Sequence, residues 1–182
     1  MRSKHGRWAL PLLAALPALL LAGCSTGRDY AVPGKICGVK MPKDAIEPLL
    51  PDGEDLRQDR ERRPFRDRHF VRCEVSVDGA SALYVKVSED RELPALRRGK
   101  DNPEYSADVT EIDDLPFSGW ATVSDDRVSA ATDCGGKADA LVFSMPFQTE
   151  TPEDLKERRK AGARFIKAFV PGEKKKEGCT AR

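Results

Sequence analysis

Histidine is scarce in this chain: His5 and His69 are the only two among 182 residues. A site built from several imidazoles is therefore excluded. Aromatic residues are few, at 7%. Formal net charge is only +1, so there is no global basic field of the kind that marks nucleic-acid binding, and no such partner is expected. No C-x-x-C occurs, which argues against a thioredoxin-like redox centre or a zinc knuckle. There is no G-x-S-x-G elbow, no calcium-loop pattern and no phosphate loop. Cys134-Gly135-Gly136 is too short for a phosphate loop and lacks the Lys-Ser/Thr that follows one. Neither a catalytic residue set nor a metal or cofactor site can be assembled, and no enzyme activity is expected.

The N-terminus is distinctive. Arg2, Lys4 and Arg7 are followed by Trp8 to Ala22, an apolar run without charge, and then by Gly23 and Cys24. As a helix the run spans about 22 Å against a hydrocarbon core of roughly 30 Å, too short for a comfortable span. Pro11 and Pro17 interrupt it. The pattern predicts a signal peptide over 1–23. Leu21-Ala22-Gly23-Cys24 resembles the lipobox of bacterial lipoprotein precursors. That resemblance implies cleavage before Cys24 and a diacylglycerol on its sulfur. Two or more acyl chains give a stable membrane anchor, so the expected location is the extracytoplasmic face of the cell membrane.

Removing the leader leaves a slight acidic excess and one domain's worth of chain. Cys37, Cys73, Cys134 and Cys179 remain, an even number in an exported chain, which reads as two disulfides. Four cysteines allow three pairings. The expected one joins nearest neighbours, Cys37–Cys73 and Cys134–Cys179. The expected layout is a lipidated tether over 24–35, one globular domain over 36–179 and a tail over 180–182.

Within the domain, Pro42 to Leu50 predicts a short helix with Ile46, Leu49 and Leu50 on the core side, ended by Pro51-Asp52-Gly53. Phe70 to Val77 alternates polar and apolar residues with period two, turns at Asp78-Gly79 and returns through Leu83, Val85 and Val87. Arg91 to Phe117 reads as a long, mostly irregular link, within which a missed element is expected. Trp120–Val123 and Val128–Cys134 predict a second hairpin around Asp125-Asp126, and Ala140–Phe147 a central strand. Thr151-Pro152-Glu153-Asp154 reads as the start of a helix capped by Thr151, with Leu155, Gly162, Phe165, Ile166 and Phe169 as its apolar stripe. Pro171-Gly172 is expected to end it, leaving Lys174 to Lys176 as a solubilising tail. The fold expected is α+β: an antiparallel sheet of about five strands, covered by a short N-terminal and a longer C-terminal helix and stapled by disulfides.

The early Cys37, the helix ending in Leu49-Leu50-Pro51-Asp52-Gly53 and the following strand with Cys73 together resemble small actinobacterial surface lipoproteins of unknown function. The resemblance covers about the first third of the mature chain. It favours the Cys37–Cys73 pairing and supplies no catalytic residues.

Few residues suggest chemistry. His69 reads as a partly exposed residue at a strand start, since no spacing supports a triad. Asp113-Asp114 and Asp125-Asp126 read as turn formers, because adjacent residues on an extended chain point opposite ways. Trp120, after Gly119, reads as sheet packing. The strongest feature is the run from Arg57 to Arg68, read as a loop. Its six guanidinium groups, on Arg57, Arg60, Arg62, Arg63, Arg66 and Arg68, could grip an anionic envelope polymer, a lipid headgroup or another envelope protein. Alternatively, they pair with the chain's own acids, Glu104, Asp108, Glu111, Asp113 and Asp114 among them. The function expected is a lipid-anchored, non-enzymatic binding or interaction module. The alternatives are a small-molecule or lipid carrier and an envelope hydrolase built on carboxylates.

Overall fold

The computed structural model describes residues 27–92, 108–135 and 138–179. The leader, Cys24, Glu104 and the tail over 180–182 lie outside the described residues, as does much of the link over 91–117.

The described chain runs β1 (Lys35–Ile36), β2 (Val39–Lys40), α1 (Lys43–Ile46), a 3-10 turn over Glu47–Leu49, β3 (Leu56–Phe65), β4 (Arg68–Val77) and β5 (Ala80–Asp90). After the link come β6 (Thr110–Glu111), β7 (Trp120–Val123), β8 (Arg127–Asp133), β9 (Ala140–Pro146) and α2 (Leu155–Lys176). β1 and β2 form a small hairpin. The other seven strands make one antiparallel sheet in the order β3-β4-β5-β9-β8-β7-β6. Two meanders thus meet where β9 pairs with β5. The sheet exceeds the expected five strands by β3, read as a loop, and β6, only two residues long.

Period-two patterning sets the inner face. Val71, Cys73, Val75 and Val77 of β4 are buried, with Leu83, Val85 and Val87 of β5 and Leu141, Phe143 and Met145 of β9. A bulge at Val75/Ser76 shifts the register ahead of the Asp78-Gly79 turn. Both turn residues have positive φ, 51° and 81°, the geometry of a two-residue hairpin turn with matching twist.

α2 packs Ala161, Phe165, Ile166, Phe169 and Val170 into this face. Phe165 stacks on Phe169 at 5.4 Å between centroids, and Phe143 meets Phe169 edge-on at 6.4 Å. Burying each ring contributes on the order of 2–3 kcal/mol. Gly162 lets the helix approach: a Cβ there would lie 2.6 Å from Val128 Cγ2.

Both expected ends of α2 need correction. Asp154 is the N-cap, its side chain accepting from the Glu157 N–H at 2.9 Å; Thr151-Pro152 lies ahead of it. Pro171 does not stop the helix, which continues to Lys176. The buried neighbours Phe169, Val170 and Glu173 hold this turn through tertiary packing, which outweighs the lost hydrogen bond. Gly172 serves a close approach, because a Cβ there would lie 2.4 Å from Val39 Cγ1. Lys174 and Lys176 are not free tail residues. The Lys174 ammonium donates to Thr132 Oγ1 at 3.0 Å, and that of Lys176 donates to the Cys37 carbonyl.

The cysteines pair as Cys37–Cys73 and Cys134–Cys179, with Cα separations of 5.8 and 4.5 Å. The first pins the β1–β2 turn to β4. The second pins the chain just beyond α2 to the end of β8. Much of the expected tether is docked as well. The Asp29 N–H donates to the Gly53 carbonyl at 2.8 Å, and the Tyr30 hydroxyl donates to the Pro51 carbonyl.

Candidate functional site

The arginine run is not a loop. Leu56–Phe65 forms the edge strand β3, and Arg68 opens β4. Alternation therefore splits its cations between the two faces of the sheet. Arg60 lies opposite Cys73 and Arg62 opposite Val71, on the helix side. Arg57 and Arg63 lie opposite Ser76 and Phe70, on the other face.

On the helix side, Arg60 and Arg62 meet the last turn of α2. Arg60 Nη1 donates to Glu173 Oε2 at 3.0 Å, and its Nη2 lies 2.8 Å from Glu173 Oε1 and 2.5 Å from Glu177 Oε1. Arg62 bridges Glu177 and Glu89. The spacing is complementary. Arg60 and Arg62 are two apart on a strand, about 6.6 Å, and Glu173 and Glu177 are one helical turn apart, about 6 Å. His69 completes the group: its N–H donates to Glu89 Oε2 at 3.0 Å, and its Nδ1 lies 3.6 Å from that oxygen. Arg60, Arg62, His69, Glu89 and Glu177, with Asp67, Lys176 and Gly178, line a cleft of about 700 Å³.

Glu173 is fully buried. Burial raises its pKa; the Arg60 guanidinium opposes the rise, and the like charge of Glu177 adds to it. Its Oε1 accepts no hydrogen bond, since Arg60 Nη2 approaches off the N–H line. The Lys176 ammonium is pushed below its ordinary value, first by burial and then by Arg60. Glu173, the carboxylate among the described residues whose pKa is raised, is thus covered by Arg60.

The remaining arginines of the run are also largely engaged. Arg57 pairs with Asp55 at 2.8 Å, Arg63 with Glu61 at 2.7 Å and Arg68 with Asp90 at 2.8 Å. The acids that take the run therefore include Glu173, Glu177, Glu89 and Asp90, rather than the loop acids Asp108, Asp113 and Asp114. Among the described residues, Arg66 meets no carboxylate. Its guanidinium lies 5.5 Å from the Phe65 ring centre. Phe65 is 61% exposed, and Arg66, at the hairpin tip, has a φ of 58°.

The other flagged carboxylates do turn chemistry. Asp125 pairs with Arg159 at 2.5 Å. Burial works against ionisation of Asp126, but hydrogen bonds from Ser124 and Arg127 outweigh it and hold its pKa low. No group of three or more His, Cys, Asp or Glu among the described residues could hold a metal ion. No described helix is long and apolar enough to cross a membrane. A second concavity, of about 620 Å³, lies between the β6 edge and the start of α2, where Ile112, Val123, Leu155 and Ala163 supply apolar walls.

No family model matches the chain, and no curated protein or solved structure matches it.

Proposed function

We propose that this chain is a lipid-anchored interaction module of the bacterial cell envelope. It is cut before Cys24, carries lipid on that sulfur and stands on the extracytoplasmic face of the membrane without catalysing a reaction. The observation that carries this reading is how soon the folded body begins. Arg28, four residues after Cys24, already bridges to Gly53 and donates to the Leu50 carbonyl at 2.6 Å. A charged n-region, a short apolar run, a lipid-bearing cysteine and then a disulfide-stapled domain form a consistent export sequence.

The arginine run is revised as a contact surface. Arg60 and Arg62 hold the helix, and Arg66 with Phe65 is the part left to meet an anionic partner in the envelope. Mass spectrometry of the protein purified from membranes tests the reading. The expected species begins at Cys24 and carries acyl mass; an intact leader or an unmodified Cys24 overturns it.

The apolar groove beside β6 favours one second reading, a carrier of a small apolar ligand. Co-purification of such a ligand, lost on Leu155→Asp, would support it over the first.

A further inference from the structure

We infer that the tip of the β3–β4 hairpin is a second membrane contact, in which Phe65 enters the interface of an anionic bilayer and Arg66 pairs with lipid phosphate. The inference rests on the lipid anchor at Cys24 and adds an orientation to it.

Geometry comes first. Only Ser25, Thr26 and Gly27 separate Cys24 from Arg28, so the anchored sulfur's residue lies within about 14 Å of the domain. Arg28 is bridged to Gly53, three residues before β3 begins. β3 then runs about 30 Å to Phe65. It is an edge strand, so no further sheet strand stands outside it. A domain resting on this edge brings the anchored end and the hairpin tip to one plane. Lys35 and Lys40, both exposed, belong to the small hairpin beside β3, where the Gln58 side chain donates to the Lys35 carbonyl at 3.0 Å. The acids of β3 are already held, Glu61 by Arg63 and Asp59 by Arg72 at 3.3 Å.

The chemistry of the tip follows. Phe65 is one of two large apolar side chains among the described residues that stand exposed, and by far the more exposed. Aromatic rings and basic side chains are the residue types that settle at a membrane interface. Arg66 meets no carboxylate among the described residues. Arg66 also holds a left-handed backbone that a long side chain adopts at a cost. Strain of that kind at an exposed position points to a functional side chain. A soluble polyanion would meet the guanidinium but offers no apolar phase for the ring. The bilayer offers both, and tethering keeps it at high effective concentration, so a weak contact is still populated.

The test uses the mature, lipid-bearing protein with Phe65→Trp, reconstituted in vesicles whose acyl chains carry bromine quenchers. The matched protein without the substitution supplies the background emission of Trp120. In vesicles containing phosphatidylglycerol, emission of the introduced indole is expected to shift blue and be quenched. Adding Arg66→Gln should lower the membrane-bound population of the tip about fivefold, as should pure phosphatidylcholine for the same cation. Vesicle flotation of the same samples reports the anchor separately. Protein that floats while the introduced indole emits as it does in solvent overturns the tip contact and leaves the anchor standing. Equal quenching in phosphatidylcholine and phosphatidylglycerol, or with and without Arg66→Gln, overturns the pairing of Arg66 with an anionic bilayer. Protein that fails to float refutes the anchor, and with it the premise of the tip contact.

Discussion

Arg60 and Glu173 lie 113 positions apart in the chain, yet a guanidinium N–H of one meets a carboxylate oxygen of the other at 3.0 Å. The pair closes the gap between the edge strand of the sheet and the last turns of the C-terminal helix. It joins the two places where sequence patterning is least informative, a run of charge and a Pro-Gly step. Removing Arg60 while keeping Glu173 should therefore cost far more than removing both. Arg60→Met leaves a buried carboxylate with its main counter-charge gone, a loss of about 3–5 kcal/mol. Arg60→Met with Glu173→Leu should recover much of it. Urea unfolding midpoints at constant slope, for both single variants and the double, measure this; single losses that simply add in the double would show that the pair is not coupled.

The same carboxylate gives a pH signature. Burial raises the Glu173 pKa in the folded protein, so the folded state holds that proton more tightly than the unfolded chain does. Its contribution to stability is fully present below the ordinary carboxylate range. It is lost as pH rises through the raised folded value. Glu173→Gln should remove that pH-dependent loss, flattening the stability profile just above the ordinary glutamate range. Denaturant titrations across the acid range check this, and identical profiles for variant and wild type would contradict it.

At the hairpin tip, Arg66→Gly should stabilise the fold by up to about 1 kcal/mol, because glycine adopts the positive φ without a Cβ clash. Arg66→Ala keeps the clash and should not stabilise. Thermal unfolding of the two variants distinguishes them, and a destabilised Arg66→Gly would mean that the side chain, rather than the backbone, sets the turn.

Gly162 gives the opposite case. Alanine at a mid-helix glycine ordinarily helps by about 1 kcal/mol. Here its Cβ would sit 2.6 Å from Val128 Cγ2 and 2.8 Å from Phe147 Cζ. Gly162→Ala should therefore destabilise by about 1–3 kcal/mol through overpacking. A calorimetric rise in Tm would contradict the close helix–sheet approach.

These outcomes mark how far the sequence is legible. The β4–β5 hairpin can be read from alternation alone because one face is buried and the other wet along most of its length. The pairing of Cys37 with Cys73, and of Cys134 with Cys179, agrees with the nearest-neighbour expectation. β3 cannot be read the same way. Both of its faces carry charge, and the inward-facing Arg60 and Arg62 are neutralised by groups distant in sequence, Glu173 and Glu177 at the helix end and Glu89 on β5. The link between β5 and β7 hides β6, whose two residues are too few to show a period. The helix end fails for a related reason. Pro171 breaks a helix by local rules, yet Phe169, Val170 and the Arg60–Glu173 pair hold the next turn in place. Once the helix is allowed to run on, Glu173 and Glu177 fall one turn apart, matching Arg60 and Arg62. That spacing is the signal in the sequence that would have found the site.

The most direct test of the account is fractionation of cells expressing wild-type protein and Cys24→Ser, read with an antibody against the folded domain. Wild type is expected in the membrane pellet and released only by detergent, while the serine variant leaves the pellet and is recovered without acyl mass. A serine variant that pellets and resists salt and carbonate washing like wild type would contradict the lipid anchor.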